Sequence, residues 1–138
     1  MATWRNELVD GPADSRSHEL WLQHAAGFII MEDVRRFAVE RMDPALPEEV
    51  RAAVQKGIDD AIYGLMMVIE GVTGGLSNDN RTVYIDFIAR LASKSAAGNG
   101  DVLSEINLRD GDGMCMGYHG WIKGDFGKHP VARAKRPA

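Results

Sequence analysis

The apolar stripe between Val50 and Ile69 is the sequence feature that most constrains the fold. Its members recur at helical spacing: Val50, Val54, Ile58, Ala61, Ile62, Leu65, Val68 and Ile69. Such a period predicts an amphipathic helix. Pro47, followed by two acidic residues, is typical of a helix start, and Gly71 is typical of a helix end. We therefore expect one continuous helix around which the rest of the chain packs.

A second long helix is predicted before it. Asp14 or Ser15 is a suitable N-cap residue, and Asp43-Pro44 ends the helix near Met42. The apolar side chains of its first part lie on nearly the opposite side from those of its second part. We therefore expect either a bend at Gly27 or a helix that is covered on both sides.

The second half of the chain shows strand-like alternation. Residues 82–91 and 102–109 alternate between two faces, residues 71–81 and 93–101 are predicted as loops, and Asp110-Gly111-Asp112-Gly113 predicts a tight turn. Residues 114–121 are then predicted to return as a third strand. The predicted fold is α+β, with two long N-terminal helices packed on a small antiparallel sheet and an irregular C-terminal segment rich in glycine and aromatic residues.

Length and composition indicate one domain spanning residues 1–138, with residues 1–13 and 128–138 extended or frayed. The chain has 138 residues, of which 45% are hydrophobic, and a net charge of −4. That charge argues against nucleic-acid binding. No apolar run is long enough for a membrane span, and no secretory signal pattern is seen at the start. The single cysteine, Cys115, fits a reducing compartment, so we expect a cytoplasmic protein.

Several well-known motifs are incomplete, so we expect neither a metal nor a cofactor. The glycine-rich segment 71–75 lacks the lysine of a phosphate-binding loop and follows a helix instead of opening one. His18-Glu19 begins a zinc-protease pattern, but Leu22 stands where the second histidine is needed. A calcium loop beginning at Asp110 would place Trp121 at the position of the required glutamate.

Two groups of residues remain as candidates for a site. The segment 111–127 combines glycines with aromatic side chains, which suits a small-molecule or peptide pocket; the alternative is that it seals the edge of the core. Cys115 is predicted to be buried and inert. The candidate ligand-binding residues are Tyr63, Tyr118, His119 and Trp121.

The second group lies on the far face of the long helix. Asp59 and Tyr63 are one turn apart, and Glu70 lies about 10 Å beyond Tyr63 by helix rise. A covered carboxylate beside a histidine is where perturbed pKa values arise, although a structural network is the alternative. The catalytic candidates are His119, His24, Asp59, Asp60 and Glu70. We expect His18 and His129 to be exposed and without function.

Three hypotheses about function follow. The first is a small cytosolic, non-catalytic binding module for protein–protein interaction, regulatory or immunity-like in size and charge only. The alternative is a small hydrolase or isomerase that uses a histidine–carboxylate acid–base pair. The third is self-association, because Met66, Met67, Trp121 and Phe126 give more apolar surface than such a small fold can cover. A small-molecule ligand also fits the aromatic segment.

Overall fold

The computed structural model describes residues 2–137, and its class is mixed α+β with antiparallel strand pairs. The helices are α1 (Ser15–Ile30), α2 (Arg36–Glu40), α3 (Glu48–Glu70) and α4 (Met114–Trp121), and a short 3-10 helix covers Ala2–Arg5. The strands are β1 (Asn6–Leu8), β2 (Leu76–Ser77), β3 (Thr82–Val83), β4 (Ile88–Ser95), β5 (Gly98–Asn107) and β6 (Ala132–Ala134). In these residues no helix is both long and apolar enough to cross a membrane.

Helix α3 is continuous, as predicted, and Gly71 ends it in the left-handed conformation at φ 83°. Its buried side differs from the predicted stripe. Ile62 and Ile69 of that stripe are buried, and so is Met66, which lies outside it and has no exposed surface. Val50 and Val54 are exposed because only the C-terminal half of α3 packs against the core.

The first helical stretch also begins as predicted, with the Asp14 carboxylate accepting a hydrogen bond from Ser17 N at 3.0 Å. A π-helical turn, Met31–Arg35, separates α1 from α2. A π turn contains an extra residue and therefore rotates all later side chains about the axis. Helix α1 is continuous through Gly27, so the break in α-helical geometry lies at the π turn and not at the predicted glycine.

The predicted single sheet is replaced by three separate two-stranded antiparallel pairs, which join β1 to β6, β2 to β3 and β4 to β5. The expected loop at 93–101 is wrong, because strand pairing continues as far as Ser95 opposite Gly98. Gly98 has φ 118°, which only glycine adopts readily, and it closes the hairpin tightly. The expected strand 82–91 is interrupted between β3 and β4.

The prediction of a third strand at 114–121, in an irregular segment, is wrong: these residues form α4. Met114, Tyr118 and Trp121 recur at helical spacing and are buried in the core. Two glycines lower the helix propensity of this segment, and aromatic residues favour strands, so local preference misleads here. Packing decides instead, since Gly117 leaves the space that the Trp121 ring occupies one turn later.

The core lies where α1, α3 and α4 meet the inner face of the β4–β5 hairpin. Its buried members are Trp21, Leu22, Met31, Ile62, Met66, Ile69, Ile106, Leu108, Met114, Tyr118, Trp121 and Val131. The two terminal segments meet through the pairing of β1 with β6. The Arg133 side chain extends this contact by binding the Glu7 carboxylate at 2.5 Å.

Candidate functional site

Helix α4 brings part of the predicted aromatic group together on α3. The ring of Tyr63 contacts those of Tyr118 and His119, with centroids 5.5 and 5.8 Å apart. Tyr118 is buried, and burial raises the pKa of its hydroxyl. That hydroxyl donates a hydrogen bond to the backbone oxygen of Asp59 at 3.2 Å. His119 is exposed and covers the outer side of this aromatic contact.

Glu70 holds the first turn of α4. Its Oε2 accepts a hydrogen bond from the backbone N–H of Cys115 at 3.0 Å, one of the donors that a helix start leaves without an internal partner. Burial, with the neighbouring Glu70 carboxylate, raises the pKa of the Cys115 thiol to about 11. The thiol is therefore protonated at neutral pH and is a poor nucleophile. The partly buried Cys115 thus fits the expected inert cysteine.

Asp59 and Asp60 are adjacent but have different partners. Arg35, in the π turn, donates to the Asp59 carboxylate from Nε to Oδ1 at 2.7 Å and from a terminal guanidinium nitrogen to Oδ2 at 3.4 Å. This ion pair connects α3 to the first helical stretch. Asp60 is exposed and pairs with Lys56 on the same helix at 2.5 Å. Neither carboxylate is hydrogen-bonded to a histidine.

His24 lies on α1, against the other side of α4. The Trp121 indole N–H donates to His24 Nδ1 at 2.8 Å. Because Nδ1 is the acceptor, the ring carries its proton on Nε2. Burial lowers the pKa of His24, although the charges of Asp125 and Asp112 oppose this effect. The ring is therefore neutral at pH 7 and positions Trp121.

The predicted catalytic residues thus do not converge. His24 binds Trp121, Glu70 caps α4, Asp59 binds Arg35, Asp60 faces solvent, and His119 stacks on Tyr63. No group of three potential metal ligands is found among residues 2–137. The predicted ligand-binding residues Tyr118 and Trp121 belong to the buried core instead of lining an open pocket.

His18, which we expected to be exposed and without a role, is partly buried and makes two hydrogen bonds. Its Nε2 lies 2.7 Å from Ser104 Oγ on β5, and its Nδ1 lies 3.1 Å from the carbonyl oxygen of Pro12. A backbone carbonyl only accepts, so Nδ1 carries the proton and Nε2 accepts from the serine hydroxyl. Spacing along the chain gives no signal for this pair, whose members are 86 residues apart. His129 is likewise partly buried.

Two open cavities flank the hairpin. The larger, of about 610 Å³, is an apolar groove between α1 and β4. Its lining includes Leu8, Ile29, Ile88 and Val102, whose side chains are about half exposed. The second, of about 420 Å³, lies beside the N-terminal turn of α1 and includes both His18 and Ser104 in its lining.

Comparison with known proteins yields no relative: no protein-family model, curated protein or solved structure matches the chain.

Proposed function

We propose that this chain is a protein-binding module, that its docking surface is the apolar groove between α1 and the β4–β5 hairpin, and that a second copy of the chain occupies it. The observation that supports this proposal is the large exposed surface of the chain. The chain exposes 9491 Å². A compact monomer of this mass exposes about 7,100 Å², so the excess is about 2,400 Å².

That excess, taken over the whole chain, is comparable with the area that a stable interface buries. Permanent interfaces bury on the order of 2,000–5,000 Å² in total from both partners. The groove also presents the right chemistry, because half-exposed aliphatic side chains line it on both the helix and the strand side. A two-stranded hairpin is marginally stable alone, and pairing its open edge would extend the sheet.

Charge favours a second copy as the occupant. Among residues 2–137, Arg90 is the one charged residue that lines the groove, and its side chain pairs with Glu105 at 2.9 Å. Two such faces therefore meet without net repulsion, whereas a strongly charged partner finds no complement there.

The hydrolase or isomerase hypothesis, with a histidine–carboxylate pair, receives less support. Each carboxylate and each histidine that we named for it has a partner in the fold or faces solvent, as described above. Acid–base catalysis requires the two groups within hydrogen-bond reach of one substrate. We therefore retain the binding module, in the cytoplasm, as the proposed function.

The test is the mass of the chain by light scattering from low to high micromolar concentration. We expect a dimer for the wild type and a monomer for Ile29→Glu, which places a charge in the groove at a residue that is 54% exposed. Val72→Glu is the matched control, because Val72 is 67% exposed and lies outside the groove. A wild-type chain that remains monomeric at high concentration overturns the assignment.

A further inference from the structure

We propose that Ser104 and His18 form a nucleophile–base pair that reacts with esters carrying a short apolar acyl group. The pair goes beyond the proposed docking function. Neither His18 nor Ser104 lines the docking groove, which shares Leu22 and Leu91 with the cavity of the pair. Ser104 is on β5 opposite Leu91, and His18 reaches it from α1. The 2.7 Å contact between Oγ and Nε2 lies within the hydrogen-bond range that such a pair requires.

The histidine is held in the tautomer that a base needs. Its Nδ1–H donates to the Pro12 carbonyl, which fixes the ring and leaves the Nε2 lone pair directed at the serine hydroxyl. A third group that orients the base is the arrangement that activates serine nucleophiles in general. Here the third group is a backbone carbonyl instead of a carboxylate. The ring of Trp21 lies 5.4 Å away, centroid to centroid, and supports the imidazole from the core side.

A substrate has access, because both side chains line the open cavity of about 420 Å³. Leu22, Leu91 and Leu103 form its apolar part, which suits a short acyl chain. Glu19 and Glu105 also line it, so neutral or cationic esters are favoured over anionic ones. The first turn of α1 borders the same cavity through Ser15, while the Ser17 N–H of that turn is bonded to the Asp14 carboxylate.

The reaction balances without any further reagent. Ser104 Oγ attacks the ester carbonyl carbon while His18 Nε2 takes the hydroxyl proton. The carbon–oxygen bond to the leaving alcohol then breaks, and His18 returns the proton to that oxygen. Water, deprotonated by the same nitrogen, releases the acid from the acyl-serine and restores the hydroxyl.

The first test treats the full chain with a fluorophosphonate probe and measures its mass. Attack by Ser104 forms an oxygen–phosphorus bond and expels fluoride, so we expect one added phosphonyl group, mapped to the peptide containing Ser104. Ser104→Ala removes the label. Ser95→Ala is the matched control on the same hairpin, because the Ser95 hydroxyl is exposed and bonds only to Gly98 O in the same turn. A wild-type chain that labels no more than Ser104→Ala overturns the proposal.

The second test asks whether His18 acts as the base. His18→Gln keeps an amide that can bond to Pro12 and Ser104 but cannot take up a proton at neutral pH. We expect its labelling and its hydrolysis of 4-nitrophenyl butyrate to fall about a hundredfold or more. Circular dichroism and the melting temperature establish that the variant is folded. Labelling of Ser104 at the wild-type rate in a folded His18→Gln protein overturns the role of the histidine, and with it the proposed pair.

Discussion

Gly27→Ala tests the packing of α1 on α4, because the Trp121 ring lies directly against this glycine. A Cβ atom at residue 27 would come within 2.4 Å of Trp121 Cε2, well inside van der Waals contact. The ring has little room to move: it is 2% exposed, its N–H is bonded to His24, and its other end lies over Gly117. Overpacking of this kind costs about 1–3 kcal/mol, and a rigid ring takes the upper end of that range.

Alanine also gains about 1 kcal/mol over glycine inside a helix. The net loss of unfolding free energy is therefore about 2 kcal/mol, which corresponds to a melting temperature lower by about 7 °C for a chain of this size. Urea unfolding followed by circular dichroism measures the free energy directly.

The matched control is Gly57→Ala in α3, where a new Cβ meets nothing within 4 Å. That variant keeps the helical gain and should be more stable than wild type by about 0.5–1 kcal/mol. The two glycine variants therefore differ in sign. If Gly27→Ala is stabilised as much as the control, Trp121 does not lie on α1, and the described contact between α1 and α4 is refuted.

Three further predictions follow from buried groups. Burial depresses the pKa of His24 below its unfolded value, so the unfolded chain binds more protons than the folded chain below about pH 6.5. Stability therefore falls as pH drops from about 6.5 toward the folded pKa. In a series of melting temperatures measured against pH, His24→Gln should make this decline smaller. Glu70→Gln removes the carboxylate that helps to raise the pKa of Cys115, so iodoacetamide at pH 8 should modify the thiol faster than in wild type. An unchanged rate would show that burial alone suppresses the thiolate. Met66→Ala should cost about 2–5 kcal/mol by urea unfolding, because Met66 is fully buried, whereas Met116→Ala, at a residue 75% exposed, should change stability by less than about 0.5 kcal/mol.

Helix α3 and the start of the first helical stretch could be predicted because their signals are local, whereas the π turn that divides the first stretch was not predicted. The apolar period, the Asp14 cap and the stop at Gly71 each lie within a few residues of the structure that they specify. The buried face of α3 could not be predicted as well, since it depends on where α4 docks. Val50 and Val54 share the period of Ile58 and Ile62, yet nothing covers them to the same extent.

Helix α4 shows the opposite case, in which tertiary contacts override the local conformational preference of the sequence. Residues 114–121 contain two glycines and several strand-favouring side chains, but α4 buries Met114, Tyr118 and Trp121 on one side and receives Glu70 at its start. These contacts join residues far apart along the chain. Residue patterns within a few turns of the chain therefore carry no signal for them.

The candidate site shows the same limit in its chemistry. Carboxylates and histidines on a covered face need partners, and this holds for Asp59, Glu70 and His24. Each of them has found a partner that holds two elements together: Asp59 joins α3 to the π turn, Glu70 joins α3 to α4, and His24 joins α1 to α4.

A group that is committed to the fold in this way is not free to exchange protons with a substrate. The bond between His18 and Ser104 also joins two elements, α1 and β5, but it differs from the bond of His24 in one respect. It lies in the lining of an open cavity, whereas the indole bonded to His24 is buried in the core. Access for a substrate, together with a lone pair already aligned on a hydroxyl, is therefore the ground on which we propose this pair as reactive.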